Sequence, residues 1–488
     1  MIEDKGPLTS IAVFGKSDAL WPVATLLEKA LPDRTALILV EDDGPSMSPG
    51  AATLACDNPF FECIGFTAQD LVCHGNAMLG LGTDCQGWQG EDSSFFTAPS
   101  GTLPAINDIA LHHIMLRAAK MQNGPERLAY LFQPFRFAAR VALAGKFADR
   151  TDDPNSPLRM LGPTVQFDRA VFGMRLKKRF SKDRAQIFAG QAADVMMNPD
   201  DSIRAVTLGN GQGISADMFV DVSGAMSRLA SSKESQRTHS LADILPFDRV
   251  ARQYDKGREP VDHLHTVARA MPGGMVVETP LQGGIMSDLL FSSPVLDNDM
   301  PSSSFEAGYC ENPWTGNLAR LGDAAAQLGP YQSADMMLLL EQAQHLVRAI
   351  PATRSMDIEA TEFNRNQLGS AQQICDFITL PFALNHRDET LWAGIRTAER
   401  PEQLQVRLDQ FRSRGRFVEF DHALFEQQSW IELLIGFRIT PERYDPSTEY
   451  LDMRRLAPVL KKMVDGFTQA IEVMHDHADY IAALRASR

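Results

Sequence analysis

The sequence predicts an α/β protein: a Rossmann-like core with an inserted β-sheet and a helical C-terminal subdomain. Three observations carry this. "SIAVFGKSDALWP" (10–22) runs from an apolar stretch into a glycine and then toward a helix-like stretch. "TALILVE" (35–41) follows as a second apolar run, so residues 9–41 read strand–turn–helix–strand. From about residue 333 the pattern becomes helical, as in "SADMMLLLEQAQHLVRAI". The division this predicts is 1–332 for the α/β core with its inserted sheet and 333–488 for the helical subdomain.

Between these markers, residues 45–100 are rich in Gly, Ser, Pro and Asn and read as loop-dominated. "DIALHHIMLRAAKM" and "RAVFGMRLKKRF" have helical spacing, whereas "AQIFAG", "SIRAVTL" and "DMFVDVSG" read as strands. Residues 255–320 are mixed, with several strands.

The opening turn decides what kind of core this is. A phosphate loop GxxxxGK[ST] ending at Lys16-Ser17 needs a glycine at position 10, which is Ser10, and residues 11–14 are the strand itself. A dinucleotide fingerprint GxGxxG would place glycines at 15, 17 and 20, and here they are Gly15, Ser17 and Leu20. Leucine at the third position obstructs close packing of the helix on its strand. Glu41 ends the second strand, where an acidic side chain can bond a ribose. The frame is present and the phosphate cradle is damaged.

Bulk properties narrow the partners. The 488 residues carry Lys+Arg 47 against Asp+Glu 62, a net charge of −15, and no basic run interleaves with aromatics. Nucleic acid and anionic membrane surfaces are therefore not expected partners. The six cysteines form no CxxC pair or zinc spacing, so no metal is expected. The N-terminus is acidic and polar and no apolar run reaches 18 residues, so the expected location is the cytoplasm. His112-His113, His263 and His265, and His475 and His477 draw the eye. Neighbours on a helix point about 100° apart, however, and no third ligand lies near the 263/265 pair.

The chain resembles the flavin-dependent tryptophan halogenases, relatives of the FAD-dependent monooxygenases. The likeness rests on "IAVFGKSDALW", "NAMLGLGTDCQGW", "DMFVDVSG" and "NPWTGNLARLGDAAAQLGPYQSADMMLL". In the helical third it rests on "EFNRNQLGSAQQICDFITL", "HRDETLW", "LFEQQSWIELLIGFRITPERY" and "HDHADYI", in the family's order. The resemblance implies FAD as cofactor. It also implies an aromatic, indole-like small molecule as substrate. As partners it implies a homodimer, an active homologue or a flavin reductase.

The same resemblance locates departures. The family's reactive lysine, which captures or orients hypohalous acid, falls on Gly80, and no lysine occurs from residue 30 to 119. The family's active-site glutamate falls on Gln332, which cannot accept a proton or stabilise a cationic intermediate by charge. "GMVVETP" (274–280) stands for GWxWxIP, with Met275 and Val277 for its tryptophans, and Ala51 stands for the glutamate of a GVGEAT loop. The implied cofactor contacts are Gly15, Ser17, Glu41, Ala51, Asp221, Gly224, Gly322, Asp323 and Pro330. A second reading holds beside this one: Gly224 and Gly322 supply permissive turns and Asp323 caps a helix. Two functions are expected in order: a halogenation-incompetent homologue that acts by binding, or an active FAD-dependent halogenase or monooxygenase with rearranged residues.

Overall fold

The computed structural model describes residues 6–44, 48–98, 101–225, 227, 229–230, 239–257, 265–296, 299–418 and 424–487. His263 lies outside them. Strand β1 (Ser10–Gly15) leads through helix α1 (Ser17–Ala30) to strand β2 (Ala36–Glu41), parallel to β1 with Gly15 opposite Glu41. The strand Met218–Val222 pairs with the other edge of β1, and Leu318–Arg320 follows it, both in parallel register. Ala185–Ala189 flanks β2, so these five strands run parallel and their C-terminal ends share one edge. Trp314–Thr315 completes the six-stranded sheet as an antiparallel border.

Residues 45–100 are not loop-dominated. They hold strand β3 (Ala51–Ala55), helices α2 (Pro59–Ile64) and α3 (Ala68–His74), and strands β4 (Met78–Gly80), β5 (Thr83–Gln86) and β6 (Ser94–Thr97). Each is too short to show a period, and the start signals are local instead. Asn58 caps α2 ahead of Pro59, and Thr67 and Asp70 form a reciprocal capping box on α3.

β3 and β4 flank the strand Thr164–Asp168 in a small antiparallel sheet. β5 and β6 form one side of a seven-stranded sheet. Its other members are Thr266–Met271, Gly274–Leu281, Gly284–Phe291, Arg249–Lys256 and Ser302–Ser304. This is the inserted sheet. The helical third opens with Ala334–Ala349 and the 27-residue helix Asp357–Ala383.

Leu20 is fully buried in the same apolar cluster as Trp21 and Leu339, so it builds the interior. The close approach at the start of α1 comes from the neighbouring helix Arg169–Arg179. A Cβ on Gly173 would meet the carbonyl oxygen of Ser17 at 2.6 Å. Near the inserted sheet, Trp88 lies among Tyr331, Phe382, Trp392 and Phe437, with ring centroids 5.0 to 6.5 Å away. Trp88 is anchored by a 2.9 Å bond from Nε1 to the carbonyl of Ala268.

Titratable groups inside this fold set its acid response. Burial lowers His112 to about 3 and both His113 and His477 to about 4. Burial raises Asp288 to about 6 and Asp376 to about 7, against the pull of Arg252 and Arg407. Between pH 4 and 6 the unfolded chain takes up three histidine protons that the fold refuses, while the fold holds two aspartate protons that the unfolded chain releases. Stability therefore rises with pH, by about 1.4 kcal/mol per unit for the one net proton near pH 5, and levels off near pH 7, where the unfolded histidines and the two folded aspartates lose their protons together. Denaturant melts from pH 4 to 8 are expected to climb to about pH 7 and then hold level; a fall in stability between pH 5 and 7 contradicts this assignment.

Candidate functional site

In open parallel sheets ligands gather at the C-terminal strand edge. Here that edge borders a cavity of about 350 Å³ whose walls include Lys16, Asp18, Ser223, Gly224, Gly322, Asp323 and Asp335. A smaller one of about 160 Å³ adjoins it, walled by Gly15, Lys16, Asp42, Gln191 and Ser223. Of the predicted positions, Gly15, Gly224, Gly322 and Asp323 line these two cavities and the others do not.

The predicted residues have internal tasks. A Cβ on Gly15 would meet the Val222 side chain at 2.4 Å, so its bareness admits the neighbouring strand. Glu41 accepts from Trp21 Nε1 at 3.1 Å and pairs with Lys177 at 2.5 Å. Burial works to raise the Glu41 pKa, but bonds from Lys177 and Trp21 outweigh it and hold it below the usual range. Ser17 opens α1. Asp221 is fully buried and accepts from Ser223 at 2.6 Å and from Ser227; burial raises its pKa despite these bonds.

Gly224 and Gly322 have φ of 99° and 56°, as a turn role requires, and the Gly322 N–H donates to Gln342 Oε1 at 2.7 Å. Asp323 does not cap a helix: Leu321 is the cap position of the single turn Gly322–Ala324, and Asp323 lies inside it. Ala51 begins β3 with its N–H 3.5 Å from Asp288 Oδ2. The Pro330 carbonyl closes the turn Tyr331–Ser333 by accepting from Ser333 N–H at 3.0 Å.

Gly80 is buried in β4 opposite Thr164. Gln332 and Ser333 both hold left-handed conformations, with φ of 55° and 53°, just before the helix Ala334–Ala349. Gln332 Nε2 lies 3.5 Å from Thr83 Oγ1. Gly80 ends β4 in the small sheet, whereas Thr83, three residues on, begins β5 in the seven-stranded one. Met275 and Val277 are buried on the strand Gly274–Leu281, in the same apolar cluster as Trp88 and Tyr331.

Arg169 is sandwiched between Asp18 in the first turn of α1 (2.8 Å) and Asp335 in the first turn of Ala334–Ala349 (2.5 Å). Burial works to lower its pKa, but Asp335, Asp18 and Asp323 outweigh that and hold it above the ordinary value. Arg252 pairs with buried Asp288 at 3.0 Å on the same side. The partners of Arg169 lie 151 and 166 positions away in sequence, so no local pattern reveals them.

A dinucleotide needs an uncovered helix N-terminus, a glycine cradle and an acidic side chain free for its ribose. Here Asp18 sets a carboxylate in the first turn of α1, Ser17 and Leu20 replace two glycines, and Glu41 is engaged by Trp21 and Lys177. Three cations and three carboxylates line the larger cavity, leaving no net positive charge for a pyrophosphate. The cavity also lies at the low end of the roughly 300–1,000 Å³ typical of small-molecule sites. The residues present do not fit FAD. Among the described residues no group of three or more His, Cys, Asp or Glu side chains is placed to hold a metal ion. No helix there is long and apolar enough to cross a membrane.

A family model described as tryptophan halogenase matches residues 10–453. The chain belongs to the tryptophan halogenase family. Tryptophan 7-halogenase RebH of Lentzea aerocolonigenes is 20% identical over 512 aligned residues, covering 91% of this chain and 92% of RebH. Among solved structures, BrvH, a flavin-dependent halogenase from Brevundimonas sp. BAL3, superposes with a TM-score of 0.87 at 23% identity, covering 98% of this chain and 99% of BrvH. Xcc4156, a flavin-dependent halogenase from Xanthomonas campestris, gives 0.88 at 20% identity, with the same coverage. At these identities the structural likeness establishes the halogenase fold.

Proposed function

We propose that this chain is a halogenase-family protein that does not halogenate and acts by binding, as a non-catalytic homologue or as the partner of an active one. The observation that carries the reading is the buried Asp18–Arg169–Asp335 group, which sets carboxylates where the family's cofactor would need positive charge. Gly80 and Gln332 add to it, since neither offers the ammonium or the carboxylate that the chemistry requires.

Purified protein is expected to be colourless and to leave the fluorescence of added FAD unquenched up to ~100 μM, an affinity weaker than about −5.5 kcal/mol. Protein that emerges yellow, or a saturable titration below that concentration, would instead support the active-enzyme reading. Co-purification from its own cells, followed by size-exclusion chromatography, tests the assembly this role implies.

A further inference from the structure

A second cavity, of about 520 Å³, sits apart from the sheet edge and shares no lining residue with it. Its wall includes the two adjacent histidines of the helix Leu111–Met121. Both are buried, yet their rings approach to 4.1 Å between centroids.

The hydrogen bonds of these rings fix their protons. The Gly415 carbonyl lies 2.7 Å from His112 Nε2. A carbonyl can only accept, so Nε2 carries the hydrogen and, in the neutral ring, Nδ1 is a bare acceptor. The backbone N–H of Asp445 donates to His113 Nδ1 at 3.3 Å. That nitrogen must therefore be unprotonated, and the hydrogen sits on Nε2. Burial lowers the pKa of both rings, to about 3 and about 4, so both are neutral near pH 7. One acceptor, His112 Nδ1, and one donor, His113 Nε2–H, remain without a partner among the described residues. Both histidines stand at the wall of the cavity, where an incoming ligand can complete these bonds.

The surroundings restrict the ligand. Arg416 is taken up by Asp445 at 3.3 Å, and Asp108 adds a negative charge, so no spare cation attracts an anion. The His113 N–H repels a cation. Ile431 and Leu451 offer an apolar wall. We propose that this cavity binds a small, uncharged ligand with an apolar body that presents a hydrogen-bond donor and an acceptor, as a primary carboxamide does, through His112 and His113.

The test uses the full-length protein labelled with ¹⁵N-histidine, titrated with benzamide, benzoate and toluene and followed by long-range ¹H–¹⁵N spectra. Benzamide is expected to move the His112 Nδ1 and His113 Nε2 resonances saturably, with benzoate and toluene each at least tenfold weaker. His113→Phe keeps a ring and removes the donor, and is expected to weaken benzamide at least tenfold. Should that variant not fold, the wild-type comparison of the three probes decides alone. No saturable shift up to the solubility limit of benzamide, or equal binding of benzoate or toluene, overturns the proposal.

Discussion

Arg169→Met is expected to lower the stability of the fold by about 3–5 kcal/mol, the usual consequence of leaving buried charge without its partner. Asp18 and Asp335 are only 8% and 7% exposed, and each would face the other without the guanidinium between them. The loss belongs to the orphaned carboxylates more than to the missing bonds. Asp18→Asn and Asp335→Asn added to Arg169→Met should therefore recover most of it, because three neutral side chains of similar shape carry no uncompensated charge. Guanidinium unfolding of the single and triple variants measures both effects. A single-variant loss below about 1 kcal/mol would mean that water reaches the group as it reaches a surface pair.

Gly80→Lys has the second large expected effect, and it is structural rather than catalytic. The position is a buried residue of β4, paired with Thr164 of the neighbouring strand. An ammonium placed there loses several kcal/mol of hydration. Gly80→Lys with Gln332→Glu supplies an opposite charge and should regain part of that stability. Neither variant is expected to chlorinate tryptophan when supplied with chloride, oxygen and reduced FAD, because the changes leave Asp18, Arg169 and Glu41 as they are. Thermal melts report the first expectation and mass spectrometry of the reaction mixture the second. A chlorinated product from the double variant would place the lesion at these two residues alone.

β1 and β2 were legible in the sequence because each is an unbroken apolar run, and α1 and the helix Ala334–Ala349 because each is long enough to show a helical period. The elements between Ala51 and Thr97 were not legible, since polar residues interrupt most of their short strands, their helices are under two turns, and Gly, Asn and Thr serve there as caps and turns. At the site, the damaged glycine pattern was visible at Ser17 and Leu20. Its replacement by an ionic group was not, because Asp18, Arg169 and Asp335 meet only through the tertiary fold. The histidine pair shows the same limit. Their adjacency argued against a shared ion, and only Gly415 and the Asp445 amide reveal the direction of each proton.

The crowding of Val222 against Gly15 has an evolutionary consequence. Any larger residue at that position would pry two adjacent strands apart, so purifying selection for mere foldability suffices to keep the glycine in any lineage of this fold, with or without its ligand. A search profile that scores this residue as a mark of nucleotide affinity will keep scoring it in such descendants, because what it detects is the steric fit of one strand beside the next.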